Sequence, residues 1–157
     1  MECELELYLE NETVNIYSIR NGGDEKLELE KFLEKFPNDS KYDKDINIIL
    51  AAIKKIIKNG ALKRYFRPEG SFEDGVGAVP LEGNRLRLYC IRISDSIMVF
   101  GNGGIKQVKK WQDCPVLSQY VELLKKLQAE IQKSLKKGTI KMENNKDLIG
   151  SLKFNIE

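Results

Sequence analysis

Between positions 64 and 110 the chain gathers Arg64, Arg67, Arg85, Arg87, Tyr89, Lys106, Lys109 and Lys110, with Glu69 as the nearest acid. These residue types can bind RNA phosphates and bases. They can also cut RNA without a metal. Attack of a 2′-hydroxyl on the adjacent phosphate needs a base, an acid and positive charge on the phosphorane. Arginines supply the charge. A lysine crowded by other cations has a lowered pKa and can serve as base or acid. Tyr89 can hold a base by stacking. Each residue alone has a plainer use as a surface charge or an ion-pair partner, so the set counts for more than its members.

The sequence excludes other chemistries. It contains no histidine, which removes the usual general base and the usual metal ligand. Ser-His-Asp and Cys-His catalysis are out. No carboxylates have the spacing of a metal site, and neither metal nor organic cofactor is expected. Cys3, Cys90 and Cys114 are odd in number and lack metal-type spacing, which fits free thiols in a reducing compartment. The start, Met-Glu-Cys-Glu, lacks a signal-peptide order, and no apolar run approaches the ~20 residues of a membrane span. A cytoplasmic protein without a membrane partner is the expectation. The net charge of +2 hides an asymmetry. Residues 1–40 carry four Lys/Arg and eleven Asp/Glu, net −7; the rest carry 22 and 13, net +9. A basic body points to a polyanion partner.

Several elements must position this set. Cys3, Leu5, Leu7 and Leu9 alternate with Glu2, Glu4, Glu6 and Tyr8, a strand pattern. With Thr13–Ile19 it predicts a hairpin over 3–19. The apolar stripe Leu27, Phe32, Leu33 and Phe36 predicts a helix over 24–36, ended by Pro37. Ile46, Ile49, Leu50, Ile53, Ile56 and Ile57 predict a second over 42–59, stopped by Gly60. Val76–Leu81 reads as a short edge strand because of Pro80. Residues 84–93 and 96–101 read as paired strands around a turn at Ser94-Asp95-Ser96. Leu86, Leu88 and Cys90 share one face of the first strand; Arg85, Arg87 and Tyr89 share the other. An unpaired buried charge is costly, so the arginine face is expected to be open to solvent or to an anion. Gly101-Asn102-Gly103-Gly104-Ile105-Lys106 lacks the Walker spacing and reads as a flexible turn leaving the sheet. Pro115 opens a last long helix, about 116–137, with the stripe Leu117, Tyr120, Val121, Leu124, Leu127, Ile131 and Leu135. Gly138 stops it, and a short strand is expected at Thr139–Met142.

From Thr13 to Pro115 the order of elements resembles the HigB-like branch of the RelE/ParE type II toxin superfamily. Asn21-Gly22 followed by Phe32-Leu33 resembles the family's opening. Arg85-Leu86-Arg87-Leu88-Tyr89 resembles its arginine strand, and Ile105-Lys106 with Lys109-Lys110 and Pro115 resembles the stretch after its last core strand. The resemblance implies an α+β fold with a RelE-like antiparallel sheet and two N-terminal helices on one face. The core would span 13–115 within a single domain, 1–157; an N-terminal strand, 1–10, and a C-terminal helix with tail, 116–157, are additions to it. It implies the toxin of a toxin–antitoxin pair that cleaves mRNA on the ribosome, partnered by a helix-turn-helix antitoxin encoded next door. Arg87, Lys106 and Tyr89 then take catalytic places, and Arg64, Arg67, Arg85, Lys109 and Lys110 contact RNA. The alternative is a binding module of the same fold, of the gyrase-inhibiting or a regulatory kind, that cuts nothing.

Overall fold

The N-terminal alternation forms β1 (Glu2–Glu10), which turns through Asn11 into β2 (Asn15–Asn21) as an antiparallel hairpin. The Asn11 carboxamide accepts the Thr13 and Val14 N–H groups, each at 2.8 Å, and so fixes the turn. These coordinates are a computed structural model and describe all residues except 38–39, 70–74, 107–113 and 157. Cys3 and Leu5 face the core as the alternation demands. A register shift between Leu7 and Leu9 then breaks the pattern, and Leu7 is exposed.

Two helices follow. In α1 (Glu28–Lys35) the Glu30 carboxylate accepts the Leu27 N–H at 2.9 Å, and the acidic first turn and basic last turn suit the helix dipole. α2 (Asp43–Asn59) ends at Gly60, whose φ of 97° is open to glycine and strained for other residues. A 3₁₀ turn (Lys63–Tyr65) leads to β3 (Arg67–Pro68), β4 (Val76–Val79), β5 (Leu86–Ser94) and β6 (Ile97–Ile105). The long helix α3 (Pro115–Lys137) ends at Gly138, which is left-handed. The hairpin β7 (Ile140–Glu143)–β8 (Asp147–Gly150) and a final strand, β9 (Lys153–Asn155), complete the chain.

Among the described residues seven strands form one sheet in the order β3-β4-β5-β6-β2-β1-β9. The fold is α+β, with three α-helices among the described residues. The expected antiparallel sheet is in fact mixed: β2 runs parallel to β6, from Asn15↔Ile97 to Ser18↔Phe100. The chain leaves β2 through both helices and re-enters the sheet from the far side, so these strands meet in the same direction. β4 is not an edge either. β3 pairs outside it, Arg67↔Ala78, and Pro80 falls just beyond its last strand residue.

The sheet separates two apolar layers. On one side α1 and α2 bring Leu29, Phe32, Ile46, Ile49 and Ile56 onto Ile16, Leu86, Leu88, Cys90, Met98 and Phe100. On the other, α3 lays Leu117, Val121, Leu124, Leu127 and Ile131 over Ile19, Tyr89, Ile91, Ile97 and Val99. The C-terminal hairpin is tied to this layer: Asn15 Nδ2 donates to Asp147 Oδ1 at 2.7 Å, and the Leu148 N–H donates to the Tyr17 hydroxyl.

The glycines at 101–104 are strand, not a flexible turn, and this corrects the sequence reading. They lie in β6, buried, beside a register shift against β5. A Cβ on Gly101 would stand 3.1 Å from Leu124, and one on Gly104 would stand 3.4 Å from Leu117. Bare backbone here lets α3 settle close to the sheet. A Cβ on Gly103 would fall on the Arg87 carbonyl, across the β5–β6 ladder. Gly103→Ala is therefore expected to cost on the order of 3 kcal/mol. Gly104→Ala should be neutral or gain about 0.5 kcal/mol, because alanine suits a strand interior better than glycine. Urea unfolding of the two variants checks this; equal losses would refute the account.

Candidate functional site

Strand register brings part of the basic set together. Ala78 pairs with both Arg67 and Tyr89, so Arg67 and Tyr89 share a row across β3, β4 and β5. Glu69 lies two residues after Arg67 on the same face, held by its N–H to the Val76 carbonyl. Arg87 is one row along from Tyr89 and pairs with Gly104, and Lys106 follows β6 with its N–H on the Arg85 carbonyl. The result is a cluster of Arg67, Glu69, Arg87, Tyr89 and Lys106 on the α3 side of the sheet, with Lys125 of α3 acting on Glu69 electrostatically.

The cluster is polar, crowded and only partly satisfied. Arg87 is 4% exposed and donates through Nη1 to the carbonyls of Asn84 and Leu86, at 2.9 and 3.2 Å. Its Nε has no hydrogen-bond partner among the described residues, nor has the buried Tyr89 hydroxyl. Glu69 is 6% exposed, and its one ion pair among those residues is loose, 3.9 Å from Arg67. Burial raises the Glu69 carboxyl above its ordinary value, against the pull of Lys106, Arg67 and Arg87. Burial also lowers the Lys106 ammonium, and the neighbouring Arg67 and Arg87 lower it further. Burial pushes the Tyr89 phenol up, out of any role as an anion near neutrality. The site thus holds a carboxyl shifted toward neutrality, an amine shifted the same way and two guanidiniums. This is the equipment for proton transfer beside a stabilised anion.

Other expectations are overturned. The arginine face of β5 is not open: α3 covers it, and Arg87 and Tyr89 are buried. Arg85 does not share that face. It turns to the α2 side, where Asp45 accepts its Nε at 3.0 Å and its Nη2 at 2.6 Å, and it lies 4.8 Å over the Tyr42 ring. That pairing holds the Asp45 carboxyl below its usual range. Arg64 stands beside α2 with its guanidinium 5.3 Å over Tyr65, apart from the cluster. Lys109 and Lys110 lie outside the described residues. Glu69, named from the sequence only as the nearest acid and given no role, and Lys125, not named at all, complete the cluster. The Arg-Pro-Glu alternation was the available signal for Glu69, since extended chain puts residues two apart on one face. Lys125 had none beyond lying off the apolar stripe of its helix.

No group of His, Cys, Asp or Glu able to hold a metal occurs among the described residues, and no helix among them is long and apolar enough to cross a membrane. Comparison of the chain with protein-family models, with curated proteins and with solved structures finds no match.

Two outcomes follow from the electrostatics. Tyr89→Phe removes a buried hydroxyl that has no partner among the described residues, so it is expected to stabilise the fold by about 1 kcal/mol; a clear loss on urea unfolding would contradict the assignment. Glu69 has a raised pKa in the folded state, so the folded chain binds its proton more tightly than the unfolded chain does. Its contribution is fully present below the ordinary value of 4.5 and is lost as pH rises through the raised folded value. The stability of wild type relative to Glu69→Gln should therefore fall between pH 4 and neutrality. A flat or rising difference would show that Glu69 is not desolvated.

Proposed function

We propose that the chain is a metal-independent endoribonuclease of the toxin type that cleaves mRNA, on the ribosome, and is held in check by a helix-turn-helix antitoxin encoded next door. The observation that carries this reading is the placement of a desolvated Glu69 among Arg67, Arg87 and Lys106. Glu69 takes the proton of the 2′-hydroxyl as its oxygen bonds to phosphorus. Arg67 and Arg87 neutralise the phosphorane. Lys106 gives a proton to the departing 5′-oxygen as that P–O bond breaks. The products are a 2′,3′-cyclic phosphate and a free 5′-hydroxyl. Arg67 and Lys106 are partly exposed and meet the RNA first, whereas Arg87 lies beneath them. Tyr89, with its buried phenol, packs and orients Arg87 rather than stacking on a base.

A second reading is favoured by one observation. Arg87 is buried and spends one nitrogen on two backbone carbonyls, which suits a folding role in a binding module of this architecture that cuts nothing.

Expression followed by mapping of mRNA ends, with purified chain on RNA in the presence of a chelator, separates the two. The first reading expects growth arrest and new 5′-hydroxyl ends, relieved by the neighbouring gene. Arg87→Ala and Glu69→Gln should each lower cleavage by at least about 10²-fold with the melting curve intact, and Lys106→Ala by less. Arg87→Lys should stay impaired, since lysine lacks the forked contact. The rate should follow a bell whose acid limb lies above 4.5 and whose basic limb lies below 10.5, and Glu69→Gln should remove the acid limb. Folded wild type that neither cuts RNA nor arrests growth leaves the binding module as the account.

A further inference from the structure

Arg64, although part of the basic set, does not join the cluster, and its surroundings have a logic of their own. α2 carries two stripes. One packs on the sheet. On the side turned away from it Lys44, Ile48, Ala51 and Lys55 recur at three-four spacing and are all exposed. Beside this second stripe Arg64, Tyr65, Pro80 and Leu81 raise a wall and enclose about 360 Å³. Ile48 also borders a neighbouring depression of about 400 Å³, shared with Lys44 and Arg85. The two depressions meet at Ile48 and together form a groove beside α2. Its floor is aliphatic, and Ile48 and Leu81 stay 36% and 45% exposed. Lys44, Lys55 and Arg64 bring positive charge, and the bordering Asp45 is paired with Arg85.

We propose that this groove docks an amphipathic helix of a partner protein, apolar at its centre and acidic at both ends. Three features select that occupant. The small side chains Ala51 and Ala52 let a second helix approach to about 8 Å between axes. The cations at 44 and 55 are eleven residues apart, roughly 16 Å along the helix, so carboxylates three turns apart on the partner meet both. Among the residues lining the two depressions, Lys44, Lys55, Arg64 and Arg85 outnumber the one acid, Asp45, and this excess of positive charge favours an acidic ligand. RNA is the poorer fit. Tyr65 is the one aromatic among the lining residues, and Arg64 already stands 5.3 Å over its ring, whereas successive bases need stacking platforms. The groove lies on the α2 side of the sheet and the Glu69 cluster on the α3 side, so the proposal stands whether or not the chain cuts RNA.

A display library of helical peptides selected on the intact chain tests it. Enriched peptides should carry apolar residues at three-four spacing flanked by Asp or Glu. Synthesised and measured by fluorescence anisotropy, they should lose at least about tenfold in affinity against Ala51→Arg and against Lys55→Glu, both exposed positions with unchanged melting expected. A peptide with its acidic end reversed to lysine should regain binding to Lys55→Glu. Failure to enrich any peptide, enrichment of basic ones, or equal binding to all variants would overturn the proposal. So would a single-stranded oligouridine that binds wild type and loses affinity on the same two substitutions, which would make the groove an RNA site.

Discussion

The close seat of α3 on β6 is the constraint on which the rest of the molecule depends. Leu124 and Leu117 rest where Gly101 and Gly104 present only backbone. A helix held that low removes water from the neighbouring strand, and Arg87 and Tyr89 become interior groups. Desolvation is then the largest influence on Glu69, Arg87, Tyr89 and Lys106 alike. Of these glycines Gly101 sets the tighter limit: a Cβ there would press Leu124 outward and loosen the seat of α3.

Two acid–arginine pairs show how differently one sheet can use the same chemistry. Asp45 receives two bonds from the Arg85 side chain and one from its backbone N–H. That carboxylate is saturated, and its task is to anchor the start of β5 to the first turn of α2. Glu69 has a loose ion pair with Arg67, 3.9 Å away, and Lys106, Arg87 and Lys125 act on it electrostatically. Its protonation is free to respond to whatever enters. A tightly bonded pair stabilises geometry; a buried acid whose cations stand further off keeps a capacity to react.

Much of the scaffold was legible in the sequence. The N-terminal hairpin, the stripes of α1 and α2 and the β5–β6 pair follow from periodicities of two and of three to four, which report local burial. What stayed hidden depended on distant chain. Nothing local tells β2 that it will lie parallel to β6. Arg85 reads as a partner of Arg87 until Asp45, forty residues earlier, draws it to the other side. Residues 101–104 look like a loop because glycine commonly marks one; here the missing side chains serve a helix that arrives later. The candidate site was legible in its residue types but not in its membership: Arg67, Arg87, Tyr89 and Lys106 converge, while Arg64 and Arg85 leave.

The parallel contact of β2 with β6 governs the order in which the chain can fold. Ser18 and Phe100, joined through the Ser18 hydroxyl, are 82 residues apart, so the middle of the sheet closes only after both helices and the β5–β6 hairpin exist. β1 waits longer still, since its outer neighbour is β9, near position 155. Loop-closure entropy must be met before these contacts return anything, which makes for slow assembly. During synthesis the acidic β1–β2 ribbon emerges before β6 and stays unpartnered on that side until β6 follows. The glutamates along it then act on the nascent chain, keeping an exposed strand soluble and apart from its neighbours until the centre of the sheet is made.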